Sequence, residues 1–208
     1  VNSVSATFSS PSATQCLTGN SFNFTHTGTS GATHTWNFGG ATANTSTAAN
    51  PTGITYAAAG TYVVTHVATA NGCARTETMS VVVNPMPALT GVPANASCGA
   101  NNGSIVINNT SAAGQGPFSF TNNGTAVGSQ TITGLAPGTY NIGITNTFGC
   151  TVTTPVTVGT NAGPSNITLT PTNASCGLSN GSFTFASPIG GTGPYTYAFN
   201  GGAFTAVS

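Results

Sequence analysis

Charge is nearly absent from this sequence. Its 208 residues hold one arginine, Arg75, one glutamate, Glu77, no lysine and no aspartate, so 1% of the chain is charged where a typical soluble domain has about 25%. Without clustered Lys and Arg nothing displaces counterions from a phosphate backbone, which excludes nucleic acid as a partner. Anionic membrane surfaces are excluded on the same ground. Glycoside hydrolysis usually needs two carboxylates, and Glu77 stands alone. A Ser-His-Asp triad lacks its Asp. Calcium sites draw on several carboxylates, so no response to Ca²⁺ is expected. Long apolar runs are missing too. None approaches ~18 residues, so no membrane insertion by a helix is expected. No charged segment followed by an apolar one opens the chain at Val1. The expectation is a chain with no catalytic residue, no cofactor and no bound metal.

The charges are replaced by Thr, Asn, Ser and Gly, a surface that is polar but neutral. Zero net charge favours association over repulsion, which suits a fibre or a coat covered by neighbours. Helical periodicity is scarce, while period-2 alternation recurs. Phe22 and Phe24 flank Asn23, and Tyr140, Ile142 and Ile144 alternate with Asn141 and Gly143. Turn formers punctuate these runs at Asn71-Gly72, Asn123-Gly124, Pro137-Gly138 and Asn200-Gly201. The fold class is therefore all-β. Two Pro-bearing breaks, Asn84-Pro85-Met86-Pro87 and Asn161-Ala162-Gly163-Pro164, interrupt strand pairing. They divide the chain into modules at 1–86, 87–162 and 163–208.

The second and third modules repeat each other. Ala96-Ser97-Cys98-Gly99 returns 78 positions later as Ala174-Ser175-Cys176-Gly177, and Asn102-Gly103-Ser104 returns as Asn180-Gly181-Ser182. Gly116-Pro117-Phe118-Ser119-Phe120 matches Gly193-Pro194-Tyr195-Thr196-Tyr197 after the offset slips to 77. Such a period exceeds a solenoid unit and suits a small β-sandwich, so an extended array of sandwiches is expected. Residues 163–208 correspond to the first half of a module, with the other half expected from a continuation of the chain.

Five cysteines without C-x-x-C spacing read as disulfides made in an oxidising, extracellular compartment. Two bridges among five cysteines can form in fifteen ways, and pairing within modules is the economical choice. Cys16 with Cys73 and Cys98 with Cys150 lie 57 and 52 residues apart. Cys176 corresponds to Cys98 and is left unpaired.

The order Cys16-Leu17-Thr18-Gly19-Asn20, Phe22, Phe24, Trp36-Asn37-Phe38-Gly39-Gly40, Asn50-Pro51, Tyr56, Gly60-Thr61-Tyr62 and Asn71-Gly72-Cys73 resembles the PKD domain. That resemblance covers nearly all of residues 1–86 and implies an immunoglobulin-like β-sandwich. Asn37 and Gly40 stand where the family's aspartates would be. The second and third modules resemble the SprB repeat of very long surface adhesins in gliding Bacteroidetes. The matching residues are Cys98-Gly99, Asn102-Gly103-Ser104-Ile105, Gly116-Pro117-Phe118-Ser119-Phe120, Gly134-Leu135-Ala136-Pro137-Gly138-Thr139-Tyr140 and Thr145-Asn146-Thr147-Phe148-Gly149-Cys150. Together the resemblances imply a giant protein exported by the type IX system. Core positions are expected at Trp36, Phe38, Tyr62, Phe118 and Tyr140.

Two residue sets remain for weighing. His26 shares the parity of Phe22 and Phe24, His34 that of Trp36, and His66 that of Tyr62 and Val64. Three histidines can bind Zn²⁺ with water as fourth ligand, against the plainer reading of packed rings bonded to backbone, which the sequence favours. The aromatics Phe118, Phe120, Tyr195 and Tyr197 suggest a sugar-stacking platform, but their recurrence favours packing. Three functions follow: an adhesive stalk, a carbohydrate-binding accessory segment of a secreted polysaccharide-degrading enzyme, and a filament subunit. The stalk is favoured. Its expected partners are neighbouring modules, copies of itself in fibres and a surface polysaccharide.

Overall fold

The computed structural model describes residues 3–191, 193–198, 200, 202, 205 and 206, and every regular element among them is a β-strand. The all-β class read from the alternation is the one the chain adopts. No helix among the described residues is long and apolar enough to cross a membrane. Contacts gather the chain into two units, Val1–Thr90 with Asn108–Gly128 and Asn141–Thr154, and Gly91–Ile107 with Ser129–Tyr140 and Pro155–Ser208.

The first unit opens with β1 (Phe8–Ser9), β2 (Thr14–Cys16), β3 (Thr25–His26), β4 (Thr33–Asn37), β5 (Thr45–Ser46), β6 (Gly60–Ala70) and β7 (Cys73–Asn84). Strands β6 and β7 form one long hairpin that turns at Asn71-Gly72, both at positive φ, as such a tight connection requires. The hairpin is the centre of a five-stranded sheet ordered β2-β7-β6-β4-β5, in which β2 runs parallel to the end of β7. A second layer is made by the β1–β3 pair and the Phe22–Ile54 bridge. Alternate residues point inward from both layers. Phe22, Phe24, Trp36, Phe38, Val64 and Val81 are fully buried together, with Phe8, Ile54, Tyr56 and Val83 around them. Asn20 closes one side of this core. Its side chain donates to the Leu17 and Tyr56 carbonyls and accepts from the Tyr56 amide. Burial pushes the Tyr56 phenol up to about 12, so it remains the donor to the Phe38 carbonyl.

The chain continues through β8 (Leu89–Ala94), β9 (Gly103–Asn109), β10 (Ser119–Asn122), β11 (Thr125–Val127), β12 (Thr131–Leu135), β13 (Gly138–Thr145) and β14 (Thr151–Val158). These make a sheet ordered β11-β10-β13-β14 and another ordered β12-β9-β8. Ile105 and Ile107 of β9 are buried, and so are Ile142 and Ile144 of β13. The third region holds two pairs, β15 (Leu169–Thr172) with β16 (Ser182–Phe185) and β17 (Thr196–Tyr197) with β18 (Thr205–Ala206). There Phe183 and Phe185 are 54% and 40% exposed, while Tyr195 and Tyr197 are half-buried.

Two local devices recur. In each of two segments a Gly-Thr-Tyr opens a strand, and the tyrosine hydroxyl donates to a carbonyl four residues back: Tyr62 to Ala58 at 2.8 Å, and Tyr140 to Ala136 at 2.9 Å. This is the tyrosine corner of immunoglobulin-type sandwiches. The repeated Ser-Cys-Gly segment also builds the same turn twice. Asn102 accepts from the Ser97 amide at 2.7 Å, and Asn180 accepts from the Ser175 amide at 2.8 Å. Each Asn returns a bond to the serine hydroxyl.

The structure corrects two expectations. Of the five core landmarks, Trp36 and Phe38 are fully buried, Tyr62 is half-buried but packed against that core, and Phe118 and Tyr140 are half-buried. The tyrosines stand at the rim because their hydroxyls must reach backbone carbonyls, and Phe118 precedes β10 instead of lying in it. The cysteine pairing also differs. Cys16 bonds to Cys150, with Cα atoms 5.6 Å apart, and Cys73 and Cys98 are free and exposed, like Cys176. Cys16 pairs in register with Asn84 at one end of β7, while Cys73 begins that 12-residue strand at the other. About 36 Å of extended strand separates them at ~3.3 Å per residue, and a disulfide spans no more than ~7 Å between Cα atoms. Asn146, in the turn that leads into Cys150, presents the partner cysteine. Its side chain donates to the Pro85 carbonyl and to Gln115 Oε1, and accepts from the amides of Phe148 and Cys150.

A three-histidine cluster as candidate functional site

Four stretches of the first unit converge on one point. β4 carries His34, β6 carries His66, β3 carries His26, and the segment Ser5–Phe8 runs beside them. Register brings them together: Trp36 pairs with His66 between β4 and β6, and Phe8 pairs with His26 between β1 and β3. His66 is fully buried and lies parallel to Trp36, with ring centroids 3.8 Å apart. Phe8 meets His66 edge-on at 5.7 Å. The cluster thus caps the aromatic core, and it joins the two layers, since His26 comes from one and His34 and His66 from the other.

The hydrogen bonds assign the protons. His66 Nδ1 lies 2.8 Å from the Ala6 carbonyl oxygen and His26 Nε2 lies 3.1 Å from that of Thr29. A carbonyl only accepts, so both nitrogens carry hydrogen. In the neutral form of each ring the lone pair is then on His66 Nε2 and on His26 Nδ1. His34 Nδ1 donates to His66 Nε2 at 3.0 Å, whereas His26 Nδ1 is buried with no hydrogen-bond partner. Ser5 accepts from the Thr29 amide and donates to the Thr29 hydroxyl, which holds the loop behind His26. Gly28 is required there: a Cβ would overlap the Ser5 carbonyl and come within 2.7 Å of His26 Cε1. One ligand nitrogen from each ring lies within 4.8 Å of the others.

Burial holds His34 below the ordinary histidine range, and the neighbouring His26 adds to the effect. Burial lowers His66 as well. Its bond to the Ala6 carbonyl opposes this in part, and His26 and His34 lower it further. Both groups therefore take up protons more readily in the unfolded chain, whose histidines titrate near 6.5. Stability from this source is complete above about pH 6.5 and falls as pH drops toward the folded values. The only other charged groups on the neighbouring strands are Glu77, the register partner of His66, and Arg75, that of Ala68. With no aspartate and a single glutamate, carboxylates mask little of the effect. The melting temperature of metal-free protein should fall between pH 7 and pH 5, and His34→Gln should flatten the slope. A wild-type profile flat across that range contradicts it.

The parity of each histidine was legible in sequence, but their convergence depends on the pairing register. Phe118 and Phe120 are both half-buried, as are Tyr195 and Tyr197, and Phe199 lies outside the described residues.

A model of the SprB repeat family matches residues 168–204. No curated protein matches the chain. Among solved structures, the fibronectin(III)-like modules of Clostridium thermocellum CbhA are similar with a TM-score of 0.38 and 16% identity, over 74% of this chain and 95% of that one. An I-band fragment of titin gives 0.37 and 11%, over 95% and 85%. Domains 4 and 5 of the S-layer protein SbsC give 0.26 and 16%, over 67% and 82%.

Proposed function

We propose that this chain is a non-catalytic structural and adhesive segment of a large secreted cell-surface protein, with β-modules in series holding a binding tip away from the cell. The observation that carries the reading is the SprB match at residues 168–204. It falls on a module whose Ser-Asn turn is built a second time at Ser97 and Asn102. The neutral surface and the Cys16–Cys150 bridge suit an extracellular setting. The finer parts of the reading, a PKD-type first module, a role in gliding and export by the type IX system, rest on the sequence resemblances. Antibody raised against this chain should label intact cells of the source organism, and deletion of the gene should reduce surface attachment or gliding. Labelling only after permeabilisation overturns the proposal.

Association into filaments is a second reading. It is favoured by the exposed apolar side chains Leu169, Leu178, Phe185 and Ile189 in the third region, which a neutral surface does not keep apart. Regular lateral contacts between purified chains in electron micrographs would select it.

A further inference from the structure

The geometry points to a divalent transition-metal site, Zn²⁺ being its ion, formed by His26, His34 and His66. Two of the three rings are already arranged as ligands. In metal sites a ligating histidine donates its other N–H to a carbonyl or carboxylate, which fixes the tautomer and aims the lone pair. The Ala6 and Thr29 carbonyls do this for His66 and His26. The nitrogens left over, His66 Nε2 and His26 Nδ1, are the ones a metal would take. Packing alone does not explain His26 Nδ1, a buried acceptor with no partner, because burying a polar atom without a hydrogen bond is unfavourable.

The distances are close to those of a loaded site. Zn–N bonds of about 2.0–2.1 Å at tetrahedral angles put ligand nitrogens about 3.3 Å apart. His34 Nδ1 and His66 Nε2 are 3.0 Å apart, and the whole set lies within 4.8 Å. Side-chain rotations on the order of 1 Å close the remainder. In the metal-free protein the His34 Nδ1 proton bridges to His66. On binding, that proton leaves Nδ1 and, through water, the ring is reprotonated at Nε2. His34 stays neutral and both lone pairs face the ion. Water takes the fourth place. Glu77 is in register with His66 but exposed, and it is outside the group of converging ligands.

Imidazole ligands suit Zn²⁺, Cu²⁺ and Ni²⁺ and not Ca²⁺, so the near-absence of carboxylates does not weigh against this site. The ion would join β3 to β4 and β6, fastening the two layers at the end of the sandwich away from Cys16. The one carboxylate nearby, Glu77, is exposed and stands outside the converging ligands, so the role of the ion is structural.

The test uses the full chain stripped of metal with chelator. Calorimetric titration at pH 7.5 should give one Zn²⁺ per chain, and the melting temperature should rise with Zn²⁺ concentration by mass action but not with Ca²⁺. Co²⁺ should give the visible bands of a four-coordinate ion without thiolate charge transfer. His34→Gln and His26→Asn should each weaken Zn²⁺ binding by at least the roughly 10–100-fold that loss of an outer-shell partner costs. Both leave His66 on Trp36, whose near-ultraviolet signal reports that each variant is folded; if one is not, the other supplies the measurement. A Cys73→Ser, Cys98→Ser, Cys176→Ser variant should bind as the wild type does. Failure to bind one equivalent, binding that survives both histidine substitutions, or binding lost with the three cysteines each overturns the site.

Discussion

Replacing Cys16 and Cys150 by serine should lower the stability of the first unit by roughly 2–5 kcal/mol. For a chain of this size that is on the order of 10 °C in Tm. The bridge spans a sequence separation of 134 residues, for which the chain-entropy model gives about 5 kcal/mol as its upper figure. Cys150 is also buried, so its replacement by serine leaves a hydroxyl needing a partner. Around the bridge, the Leu17 amide donates to the Asn84 carbonyl and Asn146 donates to that of Pro85. The constraint therefore acts on a joint already held by hydrogen bonds. A non-reducing peptide map should link Cys16 to Cys150 and leave Cys73 alkylatable, and Cys73→Ser should leave Tm unchanged. A Cys16–Cys73 peptide, or a double variant as stable as the wild type, contradicts the assignment.

The bridge shows what a sequence can and cannot disclose. Alternation gave the strands: Tyr140, Ile142 and Ile144 do share a face of β13, and the Asn71-Gly72 turn does close a hairpin. Economy of loop closure then favoured pairing cysteines within modules, and it failed because pairing is decided by where strand ends fall. The signal for that was present. A cysteine directly after Asn71-Gly72 must stand at the hairpin tip, a full strand away from whatever lies beside the strand's far end. What could not be read was that β2 runs parallel to β7 and ends beside Asn84, since that follows from sheet order. The histidines behave alike. Parity put each on an inward face, but only the Trp36–His66 and Phe8–His26 registers bring them to one point. The rim positions of Tyr62 and Tyr140 follow from the shared Gly-Thr-Tyr, a motif whose repetition at residues 60–62 and 138–140 was readable in advance.

Trp36→Ala should be the most damaging single substitution in the core, costing about 3–5 kcal/mol. Trp36 is fully buried and is the only tryptophan of the chain. Its ring contacts Phe8 edge-on at 5.0 Å, Phe24 at 5.9 Å and Phe38 at 6.2 Å, with His66 stacked parallel. Truncation opens a cavity between both layers that neighbours of this rigidity fill poorly. It also removes the indole donor from the Ala48 carbonyl, now bonded at 2.9 Å. Trp36→Phe keeps most of the apolar volume and loses only that bond and part of the stack, so its cost should be distinctly smaller. Denaturant unfolding followed by circular dichroism separates the two, because the tryptophan fluorescence is lost in both. The same substitution reaches the histidine cluster, since the indole is the surface against which His66 is held in place. Trp36→Phe should therefore weaken Zn²⁺ binding while leaving all three ligands in the chain. A variant that unfolds at the wild-type denaturant concentration would show that the aromatic core does not carry the stability assigned to it.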